Sequence, residues 1–212
     1  MPRRSCQIDS GVVRRQHIND IWKEFFRKSI HICAAAVPFF LSRFYWPVIA
    51  ALFLAIILYS VSELLRLSGR EVPFVSSVTA VAARKRDENR FVFGPVTLAS
   101  GILLAALLWD GLPAAIGIYA LAFGDGLASL AGKLFGRMQL PLTQGKTAAG
   151  SLTCFLGIFT ASFLSSGNCS LALAVAAMGM FIELLPLKDY DNVVIPLVIG
   201  GVSQLLLSVF WA

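Results

Sequence analysis

Charge is scarce in this chain. Only 14% of its 212 residues are Asp, Glu, Lys or Arg, while 57% are hydrophobic, too apolar a balance for an ordinary soluble domain. Cysteine is sparse and scattered: Cys6, Cys33, Cys154 and Cys169 show no paired metal-ligand spacing, and two of them lie in apolar runs, so they read as inert small side chains. A nucleotide-binding P-loop is missing. Gly145-Lys146-Thr147 matches the end of G-x-x-x-x-G-K-[ST], but Leu140 stands where the first glycine belongs, and no soluble strand precedes it. The basic N-terminus MPRRSCQIDSGVVRRQ lacks the short apolar run and small-residue cleavage site of a removable signal peptide, and none is expected. Nor does the net charge of +6 point to nucleic acid, because nearly all the cations sit in short segments between apolar runs.

Long apolar runs are what the chain has instead. A helix needs roughly 20 residues to cross the hydrocarbon core, so the length allows one bundle of about seven transmembrane helices and leaves no room for a second domain. The expected fold is an all-α polytopic membrane protein. Residues 1–28 form a basic cytoplasmic tail ending in a short amphipathic piece, INDIWKEFFRK, suited to the membrane surface, with an unstructured tail over 1–16. Residues 29–212 form the transmembrane catalytic domain. The spans fall at about 29–44, short and interrupted by Pro38, and then at 47–67, 91–109, 112–134, 148–164, 171–187 and 193–211. Between the second and third, residues 66–90 are too polar at both ends to cross, with a middle that dips into the interface or packs under the bundle.

Cytoplasmic loops carry the excess of Lys and Arg. With the N-terminus cytoplasmic and the C-terminus outside, 17 of the 18 cations fall on the cytoplasmic side, and only Arg43 does not. The chain thus reads as a multi-pass protein of the cell (inner) membrane.

The acids fall on the same side. Asp125 lies inside an apolar span between Gly124 and Gly126, and an acid there is costly enough to be a functional hypothesis by default. Glu63, Glu183 and Asp191 stand near the cytoplasmic ends of other spans. A cluster of this kind suits Mg²⁺, a hard cation that binds through one or two carboxylates plus substrate phosphates. Lys28, Arg66, Lys133, Arg137 and Lys146 lie at the same depth, available to phosphate oxygens. Gly124, Gly126, Gly132, Gly136, Gly145 and Gly150 allow backbone N–H groups to approach an anion. Phosphoryl transfer asks little more of a protein than positioning, metal and charge neutralisation.

Each feature has a plainer reading. Gly132-x-x-x-Gly136 suits helix packing as well as phosphate, Glu63 can pair with Arg66 one turn on, and Lys133, Arg137 and Lys188 serve as topology determinants. His17 reads as a solvated tail residue, and His31 as an interfacial residue or a partner for a lipid hydroxyl. Asp125 and Glu183 have no sequence-local cation to explain them.

Together these residues resemble a known family, the membrane-embedded CTP-dependent lipid kinases, which comprise dolichol kinase, phytol kinase, the yeast-type diacylglycerol kinase and bacterial relatives. The resemblance rests on Arg27-Lys28-Ser-Ile-His31, on Glu63 with Arg66, and on Gly124-Asp125-Gly126-x-Ala128-x-x-x-Gly132-x-x-x-Gly136. It continues through Lys146-Thr147-x-x-Gly150-Ser151, Glu183, Asp191-Asn192 and Pro196. It implies transfer of the γ-phosphoryl group of CTP to the hydroxyl of a lipid alcohol (diacylglycerol, a polyprenol or dolichol, or a phytol-like alcohol) with a divalent metal. Asp125 and Lys146 would be catalytic, and Asp125, Glu183, Asp191 and Glu63 would hold the metal. The nucleotide would be held by Lys28, Arg66, Lys133, Thr147, Ser151 and the glycines at 124, 126, 132, 136 and 150. One departure stands out: the family usually reads Lys-Ser/Thr-x-Glu-Gly-Ser, and Ala149 holds the acid's place.

Two rivals remain at this level. A phosphatidate cytidylyltransferase-like enzyme also joins CTP and lipid, but couples at the α-phosphate. A small transporter would use its intramembrane acids to bind an ion or proton near mid-membrane.

Overall fold

The computed structural model describes residues 10–70, 90–141, 143 and 145–210, with side chains described from Ile21 to Val209 within those ranges. Among them every regular element is helical. Helix α1 (Ser10–Cys33) runs through a 3₁₀ turn (Ala34–Ala36) into α2 (Val37–Arg43), and α3 is Tyr45–Leu67. Residues 71–89, most of the segment expected to dip into the interface, lie outside the described residues, as do residues 1–9 of the expected tail. Then come α4 (Gly94–Leu108), α5 (Gly111–Tyr119), a π-helical turn (Ala120–Asp125) and α6 (Gly126–Phe135). The chain ends with α7 (Ala148–Ser166), α8 (Cys169–Leu184), a 3₁₀ turn (Lys188–Tyr190) and α9 (Asp191–Phe210).

Local chemistry accounts for the boundaries. Thr147 caps α7 by accepting from the Gly150 N–H at 3.2 Å, and Asn168 caps α8 by accepting from the Leu171 N–H at 3.0 Å, each satisfying a donor left free by the first turn. Gly167 closes α7 at φ +66°, a left-handed position glycine adopts without a Cβ clash. Among the described residues four stretches are long and apolar enough to cross a membrane: Tyr45–Leu67, Gly111–Phe135, Ala148–Ser166 and Lys188–Val209. The apolar helices α4 and α8 have 15 and 16 residues. The first expected span is not one helix but the end of α1, the 3₁₀ turn and α2, with Pro38 in the first turn of α2, where its missing N–H costs nothing. Helix α1 also begins at Ser10, inside the stretch read as an unstructured tail.

The span 111–135 is the centre of the bundle. Ile116, Ile118 and Leu121 on it are fully buried against Ile158 of α7, Val175 of α8, and Ile195 and Ile199 of α9. Small residues make the close crossings possible, as in membrane bundles generally: a Cβ on Gly101 of α4 would strike the Asn192 backbone, and one on Gly117 of α5 the Pro196 backbone. Helix α3 packs on α4 at the periphery and exposes Phe53, Leu54, Ile57, Leu58, Val61 and Leu64, an apolar face suited to lipid. The acid-bearing helix is therefore the innermost one.

Candidate functional site

Asp125 occupies the last position of the π turn, buried, with Lys28 of α1 donating to its Oδ2 at 2.5 Å. Single π turns inside α-helices occur often at functional sites. His31, one turn beyond Lys28, brings Nδ1 within 3.1 Å of the same oxygen, but off the line of a hydrogen bond. Lys28 and His31 are themselves buried. An acid without a local cation thus acquires one from a helix 97 residues away in sequence.

Glu183, near the end of α8, has the matching arrangement. Lys146 Nζ lies 2.9 Å from its Oε1 and also donates to its main-chain carbonyl, while the Ser151 hydroxyl donates to Oε2 at 3.1 Å. The loop before α7 presents Lys146: Gln139 and Thr147 form an antiparallel bridge, and the Leu140 N–H donates to the Lys146 carbonyl at 2.9 Å. Gly145 turns that loop at φ +95°, where a side chain would be strained.

A third cluster centres on Glu24. Its Oε1 accepts from Arg27 at 2.5 Å and from the Ser129 hydroxyl at 2.7 Å, and its Oε2 from Lys133 at 3.1 Å. These contacts tie α1 to α6. Glu24 precedes the first expected span. Burial pushes its carboxyl pKa up, but Arg27, Lys28, the Ser129 hydrogen bond and Lys133 together outweigh burial and lower it to about 2. Because the folded value is depressed, the stabilisation is present above the ordinary carboxylate value of 4.5 and is lost as pH falls towards about 2. Glu24→Gln is expected to lower stability by about 2 kcal/mol at neutral pH. In thermal melts of the detergent-purified protein, the gap between wild type and variant should narrow across that acid range.

The three clusters border one polar cavity of about 350 Å³, whose wall carries five cations (Arg27, Lys28, Lys133, Lys146 and Lys188) against three carboxylates (Asp125, Glu183 and Asp191). Excess positive charge in a low-dielectric cleft attracts anions. Next to it lies a cavity of about 210 Å³ lined largely by apolar groups, including Ile30, Val92, Pro95 and Leu98. The two share Arg27, Lys28, Lys188 and Asp191.

Of the residues singled out from sequence, the polar cavity gathers Lys28, Asp125, Gly132, Lys133, Lys146, Thr147, Gly150, Glu183 and Asp191, with Ser151 just behind Glu183. Glu63 and Arg66 line neither cavity. Glu63 is fully buried, accepts both Nε and Nη2 of Arg66 at 2.8 and 2.7 Å, and accepts the Val92 N–H at 2.9 Å. The glycines make close packing contacts. A Cβ on Gly124 would lie 2.8 Å from the Ile158 side chain, one on Gly126 3.2 Å from Ile32, and one on Gly136 2.6 Å from Thr147. Gly132 and Gly150 let α6 and α7 touch around the Thr147 hydroxyl, 3.0 and 3.2 Å from their respective Cβ positions. Glu24 and Ser129 are not singled out by the sequence, and His31, read there as an interfacial residue or a partner for a lipid hydroxyl, is buried beside Asp125. The i,i+3 spacing of Glu24 with Arg27 and of Lys28 with His31 was the available signal.

Several curated proteins named phytol or farnesol kinases are similar to this chain. A probable phytol kinase 2, chloroplastic, of Glycine max is 30% identical over 213 residues, covering 89% of this chain and 67% of that protein. The chain belongs to the phytol kinase family. The similarity extends to a probable phytol kinase 2, chloroplastic, of Oryza sativa subsp. japonica, 31% identical over 193 residues, which cover 81% of this chain and 62% of the relative. A farnesol kinase, chloroplastic, of Arabidopsis thaliana is 28% identical over 128 residues, covering 59% of this chain and 38% of that protein. The chain therefore spans less than two thirds of the length of these last two relatives. No family model matches the chain. No solved structure matches it either.

Proposed function

We propose that the chain is an integral-membrane lipid alcohol kinase. The observation that carries this reading is the shared wall between a net-cationic polar cavity and a mainly apolar one. A nucleoside triphosphate is charged at one end and the acceptor is a long apolar alcohol, so each cavity suits one substrate, and the reacting atoms meet where the cavities join. The relatives named for phytol and farnesol favour an isoprenoid alcohol. CTP as donor rests on the family resemblance.

Lys28, Lys133 and Lys146 neutralise the phosphate oxygens, and their pairs with Asp125, Glu24 and Glu183 hold them in place beforehand. Asp191 borders both cavities and accepts the proton of the alcohol. The alcohol oxygen forms a bond to the γ-phosphorus as the bond to the β–γ bridging oxygen breaks. The products are a lipid monophosphate and a nucleoside diphosphate.

Among the described residues no three acid, histidine or cysteine side chains cluster tightly enough to hold an ion by themselves. Three carboxylates nevertheless line the polar cavity, and that set fits a Mg²⁺ that arrives on the nucleotide and takes one or two of them. When bound, the ion supplies further charge neutralisation at the phosphates. In the proposed topology the bundle crosses seven times with the N-terminus and the site on the cytoplasmic side, consistent with the distribution of Lys and Arg.

The test is a pair of labels. Purified protein given γ-labelled CTP and phytol or farnesol is expected to label the lipid, whereas α-labelled CTP leaves it unlabelled. Lipid labelled from the α position would mark a cytidylyltransferase and end the kinase reading. Movement of a solute into sealed vesicles without nucleotide consumption would mark a transporter.

A further inference from the structure

We propose that Lys188, which charge patterning explains as a topology determinant, is a catalytic residue of this site, its ammonium holding the phosphoryl group during transfer from nucleotide to alcohol. This inference rests on the kinase reading above. Lys188 is one of four residues bordering both cavities, which places it beside the junction where donor and acceptor meet. Its state differs from that of the other cavity lysines. Lys28 is held by Asp125, Lys133 by Glu24 and Lys146 by Glu183, but among the described residues no carboxylate pairs with Lys188. The paired lysines are set in position for the ground state. An unpaired, exposed lysine on a flexible stem is a compact charge free to follow the group that moves.

The backbone adds a second, independent observation. Lys188 has φ +58°, the one positive value at a residue other than glycine among those described. Strain of this kind concentrates at active sites and persists only where the surroundings enforce it. It falls at the start of the 3₁₀ turn between α8 and α9, where the Tyr190 N–H donates to the Leu187 carbonyl at 3.1 Å. A topology determinant needs no particular backbone conformation, since any exposed lysine in the loop would serve.

During transfer the γ-phosphoryl oxygens pass along the shared wall. The alcohol oxygen bonds to phosphorus, the bridging oxygen leaves with the nucleoside diphosphate, and the proton goes to Asp191. Lys188 takes no part in the proton transfer and supplies charge alone. Its contribution grows as the phosphoryl group moves along the shared wall into its reach, so it belongs to kcat more than to nucleotide affinity.

The experiment compares wild type, Lys188→Asn, Lys188→Gly and Lys188→Arg, reconstituted with phytol or farnesol and γ-labelled CTP. Asparagine and glycine tolerate the positive φ while removing the charge, so either serves if the other fails to fold, as judged by size-exclusion profile and melting temperature. Both are expected to lower kcat by about 100-fold with the KM for nucleotide changed by less than about threefold, and arginine is expected to recover most of the rate. Neutral variants within about threefold of wild-type kcat would overturn the assignment. So would a loss confined to nucleotide KM, or an arginine variant as slow as the neutral ones. A wild-type protein that phosphorylates no alcohol would instead remove the kinase reading itself, which separates the two failures.

Discussion

Asp125→Asn is expected to reduce label transfer from γ-labelled nucleotide to lipid by about 1,000-fold, within the range seen when a charged group is removed from a catalytic site. The carboxylate sits at the end of the π turn with Lys28 at 2.5 Å and His31 Nδ1 at 3.1 Å. Neutralising it releases Lys28 from its only acidic partner among the described residues and changes the charge balance of the cavity wall. A buried lysine left without its acid also destabilises the fold, by about 3–5 kcal/mol for a broken buried pair. Lost activity in the single variant therefore has two sources. Adding Lys28→Met removes the orphaned charge, and the double variant is expected to recover most of the melting temperature while remaining inactive, below the activity of Lys28→Met alone. Activity that returned with stability would show that Asp125 only holds the bundle together.

Lys146→Met carries the second large effect. Lys146 links the loop before α7 to the end of α8 through the Glu183 carboxylate and carbonyl, and in the proposed site its charge also meets the nucleotide phosphates. Loss of both is expected to lower kcat/KM by about 100-fold, or ~2.7 kcal/mol at ~1.36 kcal/mol per tenfold. Lys146→Arg keeps the charge and should lose much less, as steady-state kinetics over a range of nucleotide concentrations would reveal. This lysine also bears on Ala149, which stands where the family usually has an acid. Ala149 lies in the first turn of α7, where its carbonyl accepts from the Thr153 hydroxyl at 2.8 Å, and the carboxylate beside Lys146 comes from Glu183. In the proposed site Glu183 does the work of the missing acid. Glu183→Gln should therefore impair this chain, and Ala149→Glu should relieve that impairment.

What could be read from the sequence, and what could not, follows from the range of each interaction. Asp125 stood out because burying an acid in an apolar run is costly whatever surrounds it. Lys28 stood out as a phosphate partner, but its pairing with Asp125 did not, because 97 residues separate them and no local spacing records it. Glu63 and Arg66 were readable in two ways from their i,i+3 spacing. Packing favours the pair, since Arg66 and the Val92 N–H occupy both Glu63 oxygens. Glu24 was hidden by its context: INDIWKEFFRK reads as a surface helix, and only the docking of α1 on α6 turns Glu24 towards Ser129 and Lys133.

Run length located α3, α7, α9 and the 111–135 span closely, because nothing but continuous apolar sequence is needed to specify them. It did less well for the first span, which is broken by a 3₁₀ turn before Pro38. Helices α4 and α8, with 15 and 16 residues, reach only about 22–24 Å at ~1.5 Å per residue, short of a core of ~30 Å. The π turn left no local signature, since it depends on how the central span packs against its neighbours.

The most direct test of the central claim is to incubate the purified protein with CTP, ATP, Mg²⁺ and a panel of lipid alcohols (phytol, farnesol, a polyprenol and diacylglycerol) and to read the lipid products by mass. The account predicts a monophosphate of at least one isoprenoid alcohol, formed only when nucleotide is present and absent with Asp125→Asn. A panel left unphosphorylated by folded wild-type protein with either nucleotide, or a cytidine-bearing lipid in place of a monophosphate, would contradict it.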